Sequence, residues 1–538
     1  MPPRFRRPEP MATFELVPDD ERDDAPWSAD RDEAGADRPT LRSRAVQRWG
    51  GLSRKGRAVV AAGTAVVVLG AAAAVAAPPL LDARGERLRA EAVRGLPGAV
   101  GNLSEPLTET WELPAGDGVV ATFPGGLLLT TEGTDAVAVD AADGGEVWRR
   151  DLGPFPTCGP QTFFPHEQLR PADVAVCLTG EADDRTVAVL DADGAVVGER
   201  PMPAARNDPF DEPTDGADAD APVVVPAAAG AIAVVEGVTG ATAAWPGDDV
   251  PAADTLRALR ADGWVDPTLR LEDALTGEVR GEATLPLRAE DLQDCGYMED
   301  GVGEPTLMTT PSVYASPSFT ALSVCSASAV LAPDGTSLHL DLDADGAWPQ
   351  PLPGGGVVVA GETSTVLDDD GSVVATVPGW LIPPTVDDDP HGTYLVLTGF
   401  GEGEQGLRLT SVERDGDEEW SAATGEFSGV LARVAGTVVV QDDTRLVGLD
   451  AATGEERWVR DDVLDRSADG SDAWVAGAVT DGTRLLLGVT GGEGYRLIAV
   501  DARDGATTWE RPGEGYLEGL ESVGGHPVTF SGTVQGLG

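Results

Sequence analysis

An all-β protein built as a β-propeller of about eight four-stranded blades, with seven the alternative, is the fold the sequence predicts. Three observations lead there. An eleven-residue signature occurs three times, as AVDAADGGEVW from Ala138 to Trp148, GLDAATGEERW from Gly448 to Trp458 and AVDARDGATTW from Ala499 to Trp509. Turn glycines at 144, 194, 240, 277, 335, 371, 416, 454 and 505 recur about every 45 residues, the length of one blade. Each signature also opens on a short apolar strand, as at Ala136 to Val139, Leu446 to Leu449 and Leu497 to Val500. Self-similarity on this scale marks stacked supersecondary units rather than one irregular core.

Within the signature each residue type has a physical task. Asp140, Asp450 and Asp501 are placed to accept hydrogen bonds from main-chain N–H groups about two residues ahead, while Gly144, Gly454 and Gly505 supply positive φ, so the segment reads as a hairpin turn. The return strand ends on Trp148, Trp458 or Trp509, where a large ring packs on the neighbouring unit and its indole N–H needs a partner. Degenerate copies lie between: LDADGAVVG at Asp191 and Gly194, EGVTGATAAW at Gly240 and Trp245, EDALTGEVRG at Asp273 and Gly277, then APDGTSL at Gly335, LDDDGSVV at Gly371 and VERDGDEEW at Gly416 and Trp420. Nine turns against about eight blades leave one turn as an extra hairpin or as part of a blade shared between the chain ends. A strand near Leu107 to Leu113 is expected to complete the blade made by the C-terminal residues, leaving no free sheet edge.

On Ala138, Asp140, Gly144 and Trp148, on Asp450, Gly454 and Trp458, and on Ala499, Asp501, Gly505 and Trp509, the chain resembles the tryptophan-docking repeats of the pyrroloquinoline-quinone (PQQ)-like propeller family. The resemblance runs from about Leu107 to the C-terminus, strong in the first blade and the last two and weak in the middle. It implies that the small residue and the tryptophan interlock successive blades. The family includes quinoprotein dehydrogenases and also non-catalytic relatives such as the propeller lipoprotein of the outer-membrane β-barrel assembly machinery, so it implies a scaffold at least as readily as an enzyme. The dehydrogenases hold their quinone between a tryptophan and a disulfide of adjacent cysteines, with Ca²⁺ on Glu, Asn and Asp beside a catalytic Asp. No two cysteines here are adjacent and no such ligand set matches, so the expectation is no bound PQQ and no catalytic residue.

Ahead of the repeats, residues 58–77 form an uninterrupted run of Ala, Val, Gly, Leu and one Thr, about the twenty residues needed to span a bilayer. Arg42, Arg44, Arg48, Arg54, Lys55 and Arg57 precede it without an acidic residue among them, which places the N-terminus in the cytoplasm and the remainder outside. A cleaved signal peptide is the rival, since Ala74-Val75-Ala76 resembles a cleavage site, but a leader of about 57 residues is far longer than a charged n-region. The expected organisation is therefore a disordered cytoplasmic tail at 1–57, a transmembrane helix at 58–77, a stalk or linker at 78–106 and an extracytoplasmic propeller at 107–538, anchored in the plasma membrane by a single pass. The stalk's Asp82 to Arg94 pattern suits a helix, broken at Gly95-Leu96-Pro97-Gly98.

The formal charge is −53, which keeps the protein soluble and excludes nucleic acid as a partner. Lys55 is the only lysine, and the abundance of Ala, Gly, Asp, Arg, Val and Pro suits a GC-rich genome such as an actinobacterium's. Four cysteines all fall on the outer side, and proximity favours Cys158 with Cys177 and Cys295 with Cys325 among the three connectivities. The most metal-like string is Asp341-Leu342-Asp343-Ala344-Asp345-Gly346, whose three carboxylates at alternate positions suit Ca²⁺. An Asx-type turn is the plainer reading of Asp341, Asp343 and Asp345, because Pro349 and Leu352 stand where an EF-hand loop needs polar ligands. His166, His339, His391 and His526 are scattered, and nucleophile-elbow, zinc-helix and phosphate-loop motifs are missing.

The insertions at Arg206 to Val223 and Ala289 to Ser318 are the expected places for a binding surface, the first strongly acidic. The function expected is non-enzymatic: a membrane-anchored protein-interaction platform for an unidentified envelope protein. The alternative is an extracytoplasmic enzyme or small-ligand sensor using acidic residues at the channel mouth.

Overall fold

The computed structural model describes residues 85 and 87–538 apart from short stretches, the longest being 161–169, 207–220, 245–249, 299–305, 339–347, 400–406 and 465–472. The expected tail at 1–57 and apolar span at 58–77 lie outside the described residues. Among those described, no helix is long and apolar enough to cross a membrane.

Nine blades follow one another along the chain: 119–151, 157–202, 223–284, 312–331, 348–378, 380–423, 427–460, 474–514, and a ninth made of 519–537 with 109–114. Their strands are buried at successive positions, as in Val119–Phe123, Thr320–Val324 and Val357–Ala360, because each blade packs on both neighbours. Side chains alternate between the two faces of a strand, so Ala231, Ala233 and Val235 of blade 3 pack toward blade 4 while Ile232 and Val234 pack toward blade 2. A separate buried apolar cluster occupies each blade–blade interface, including one that joins Trp111, Phe530 and Val534 of blade 9 to Leu128 and Val137 of blade 1. The ring is closed.

The count of nine corrects the expectation of about eight, or seven. The eight glycine turns at 144, 194, 277, 335, 371, 416, 454 and 505 each follow the third strand of one blade. The ninth blade has no such turn, because its fourth strand is the distant Glu109–Pro114, antiparallel to Thr533–Leu537. The strand expected near Leu107 to Leu113 is thus present and closes the ring. Gly240 and Trp245 lie outside the described residues, and EGVTGATAAW is not a blade repeat. Its Thr242–Ala244 joins Tyr297–Met298 and Thr306–Met308 in a small separate sheet, part of insertions in and after blade 3 that also contain the helix Ala252–Ala261.

The expected stalk is also corrected in part. Residues 87–93 are helical and Gly95 turns the chain with φ 86°, but from Val93 onward the segment is docked on the propeller. Val93 and Leu103 are buried, Val100 N–H donates to Thr480 O while Thr480 N–H donates to Gly98 O, and Ser522 Oγ donates to Ala99 O. Both expected disulfides are formed. Cys158–Cys177 links paired residues of the first two strands of blade 2, and Cys295–Cys325 ties the second insertion to blade 4.

Candidate functional site

Tryptophans occupy the blade–blade seams. Trp148 Nε1 donates to Ala192 O at 2.8 Å, Trp420 to Ala451 O at 2.9 Å, Trp458 to Ala502 O at 3.1 Å and Trp111 to Ala141 O at 3.1 Å. For Trp111, Trp148 and Trp458 the acceptor follows the turn aspartate of the next blade, Asp140, Asp191 or Asp501, and Ala451 likewise follows Asp450. Those aspartates hold their turns: Asp140 Oδ1 accepts from Ala142 N–H, Asp450 Oδ1 from Ala452 and Thr453, and Asp501 Oδ1 from Arg503. A Cβ at Gly144, Gly194, Gly454 or Gly505 would lie within 2.7 Å of the docked indole, so the ring rests directly on the turn backbone. The small residue serves the same hairpin: Ala138, Gly448 and Ala499 sit opposite Trp148, Trp458 and Trp509 and leave room for the ring.

Trp509 has no aspartate turn ahead of it, since blade 9 takes its outer strand from the N-terminal side. It donates instead to Leu103 O at 2.8 Å, so the segment leading in from the N-terminus completes the seam between blades 8 and 9.

A cavity of about 990 Å³ lies under that segment. Its walls are the helix at 87–93 on one side and, on the other, the turns between first and second strands of blades 8, 9 and 1 together with Arg170 and Pro171. Arg87, Ala90 and Arg94, spaced along one helix face, line it, as do Arg170 and Arg484. Asp481 is the one carboxylate among the described lining residues, and both its oxygens are committed: Oδ1 accepts from Thr483 and Arg484 N–H, Oδ2 from Leu103 N–H and the Arg484 guanidinium.

A smaller cavity of about 240 Å³ borders blades 5 and 6 and reaches the ion pair of Asp387 and Arg433. Arg433 Nε and Nη2 grip the two carboxylate oxygens at 2.7 and 2.6 Å, both side chains are under one-tenth exposed, and further bonds run to Thr393 and Asp389 main-chain oxygens. Val386–Asp387 pairs in parallel with Phe427–Val434, so the ion pair staples a loop of blade 6 to blade 7. Next to it, burial pushes the Asp388 carboxyl up, opposed by the Ala435 N–H bonded to its Oδ2. A saturated bidentate pair of this kind positions backbone; it has no open valence for chemistry.

A family model described as outer membrane protein assembly factor BamB matches residues 390–534, the stretch that holds Trp420, Trp458 and Trp509. That match supports a PQQ-like β-propeller over residues 390–534. Solved structures similar to this chain include BamB from Moraxella catarrhalis, at 13% identity over 80% of this chain and 99% of that one with a TM-score of 0.37. The Dos1 propeller is similar at 10% identity over 80% and 94% of the two chains with a TM-score of 0.36. A europium-containing methanol dehydrogenase is similar at 12% identity over 79% and 84% with a TM-score of 0.32. No curated protein matches the sequence.

Several working residues escaped the sequence reading. Arg150 and Arg460, each two residues after a docking tryptophan, donate to the carbonyl of the next turn glycine, Gly194 or Gly505, and Arg511 does the same to Leu107 O. The Trp-x-Arg spacing was visible in WRR, WVR and WER. In blade 2 the tryptophan position is Gly198, and Arg200 takes over the seam by donating Nε to Ala274 O at 3.0 Å. Of the other predicted features, Asp341, Asp343 and Asp345 lie outside the described residues, as do His166, His339, His391, most of the first insertion and part of the second. His526 is exposed. Among the described residues no group of three His, Cys, Asp or Glu side chains is arranged to hold a metal ion.

Proposed function

We propose that this protein is a non-enzymatic docking propeller, tethered by residues 58–77 with its tail at 1–57 in the cytoplasm and its propeller outside, where it holds an envelope protein. One observation carries the docking reading: large exposed apolar side chains recur on the outer strands of four blades. Around the bulge of the outer strand, blades 1, 2, 3 and 5 carry Glu146 and Val147, Val196 and Val197, Val279 and Arg280, and Val373 and Val374, of which Val147, Val197, Val279, Val373 and Val374 are 43–64% exposed. Blades 6, 7 and 8 have Glu418 and Glu419, Glu456 and Arg457, and Thr507 and Thr508 at those positions. Exposed valines recurring on the outer strands of four blades of a rigid closed ring suit a protein partner. Two disulfides support an oxidising compartment.

The test is capture of the tagged full-length chain from cross-linked membranes, beside the triple variant Val147→Asp, Val197→Asp, Val279→Asp. A reproducible partner that the variant loses supports the reading; no partner, or one indifferent to the variant, overturns it. A second reading, a small-ligand sensor, is favoured by the arginine-lined cavity.

A further inference from the structure

We propose that the seam between blades 5 and 6 is an open slot for one aromatic side chain, a tryptophan carried by the protein that docks on the rim. The inference rests on the docking reading above and names the anchor that such a partner supplies.

The other seams show what the slot is for. Seven of the eight turn glycines have a group of the preceding blade pressed on them: an indole in four seams, the Arg200 guanidinium at Gly277, the main chain of Gly281 at Gly335 and the Leu338 side chain at Gly371. Gly416, in the turn of blade 6, has no described residue within 4 Å of its Cβ position. Its turn is nevertheless built like the others. Glu413 N–H donates to Asp417 O and Gly416 N–H to Glu413 O, matching the bonds of Asp191 N–H to Ala195 O and Gly194 N–H to Asp191 O in blade 2, where the Trp148 ring is seated. Residue 414 therefore stands where Ala192 receives the Trp148 indole N–H. The Arg414 guanidinium lies over the Tyr394 ring, 5.5 Å from its centroid, and does not cover Gly416.

Blade 5 does not supply the ring. At its tryptophan position stands Ala375, paired with Val366, whereas the residue opposite Trp148, Trp458 or Trp509 is alanine or glycine. A valine opposite takes the room that an indole on this strand would need. What remains is a cleft of about 260 Å³ with Gly416, Thr410 and Val412 of blade 6 and Pro378 of blade 5 in its walls. That is below the roughly 300–1,000 Å³ of a pocket for a drug-sized ligand and suits a single ring. Glu418, also in the wall, is an acceptor for the indole N–H.

A protein is the fitting bearer of that ring because the cleft opens beside Val373 and Val374, which are 64% and 43% exposed on the same outer strand as Ala375 and Pro378. An aromatic anchor seated in a pocket and surrounded by weaker apolar contacts carries most of the energy of a protein interface.

The experiment is ¹⁹F NMR titration of the detergent-solubilised full-length chain with N-acetyl-5-fluorotryptophanamide, competed with N-acetyltryptophanamide and with N-acetylleucinamide. The double variant Val366→Ala/Ala375→Trp gives blade 5 its own docking ring, and Thr410→Leu narrows the cleft from blade 6 alone. Saturable binding is expected, displaced by the tryptophan amide but not the leucine amide, and weakened at least about tenfold in both variants. The double variant is also expected to lose the captured partner while unfolding at or above the parent's urea midpoint. No binding by the parent, undiminished binding by both variants, or a double variant that still captures the partner would each overturn the proposal. The rim variant Val147→Asp, Val197→Asp, Val279→Asp should bind the probe normally. A partner lost by the rim variant but kept by the double variant would thus sink the slot and leave the docking reading standing, whereas probe binding by a chain that captures nothing would sink the protein occupant together with that reading.

Discussion

Replacing Gly454 with alanine tests the seam mechanism at a single atom. Gly454 has φ 69°, and an added Cβ would lie 2.4 Å from Trp420 Cε3, the ring docked from blade 6. A left-handed alanine costs about 1–2 kcal/mol. Pushing a methyl into a packed ring adds about 1–3 kcal/mol, so Gly454→Ala is expected to lose about 2–5 kcal/mol in total. Gly416 is the internal control: it has φ 96° at the equivalent turn of blade 6, with nothing within 4 Å of an added Cβ. Gly416→Ala should therefore lose only the backbone part, about 1–2 kcal/mol. Urea unfolding of the full-length chain, read as midpoints for the two variants and for each in a Trp420→Ala background, separates the contributions. Trp420→Ala alone should cost about 3–5 kcal/mol, and adding Gly454→Ala to it should cost no more than Gly416→Ala does. Equal losses from Gly454→Ala and Gly416→Ala in the parent background would show that the ring does not rest on the turn, and the reasoning would fail.

Three further outcomes follow from the same geometry. Trp509→Phe keeps the ring but removes the bond to Leu103 O, so amide exchange should accelerate in residues 98–107, with a stability loss of about 0.5–1.5 kcal/mol, whereas Trp420→Phe should leave that segment protected. Asp387→Asn strips the charge partner from a guanidinium that is under one-tenth exposed, and should cost about 3–5 kcal/mol in thermal or urea unfolding, while Asp254→Asn on an exposed helix pair should be near neutral. Burial alone would raise Asp273, but the Arg280 guanidinium and the Thr276 N–H and hydroxyl outweigh it and hold the carboxyl at about 2, against an ordinary 3.8. The folded state thus binds fewer protons than the unfolded one between those values, so Asp273 contributes stability that is present above the unfolded pKa and lost as pH falls toward about 2. Unfolding midpoints of Asp273→Asn should show a weaker acid dependence over that window, and an unchanged profile would refute the assignment.

The legible part of the fold is the part written in local chemistry. Asp140, Gly144 and Trp148 announce a turn and a docking ring because each acts on a neighbour within a few residues, or on an identical turn one repeat away. Arg200 was illegible for the opposite reason: it serves at a position where the repeat has Gly198, and only the packed seam shows its guanidinium reaching Ala274 O. The cavity was equally hidden, since Arg87, Arg170 and Arg484 are far apart in sequence and meet only because the segment crosses the ring. The alternative reading from sequence placed acidic residues at a channel mouth, whereas the cavity of about 990 Å³ has four arginines among its described lining residues.

By itself the sequence determined that this is an all-β protein of repeated hairpins locked by tryptophan, with two pairs of cysteines close enough to bridge. Those features depend on turn chemistry and periodicity, which are local. Tertiary structure alone decided that there are nine blades, that the last is finished by Glu109–Pro114, and that the segment before it supplies the carbonyl for Trp509. Ring closure joins residues more than 400 positions apart, and such a pairing is selected by the geometry of the completed toroid, which no short stretch of chain encodes.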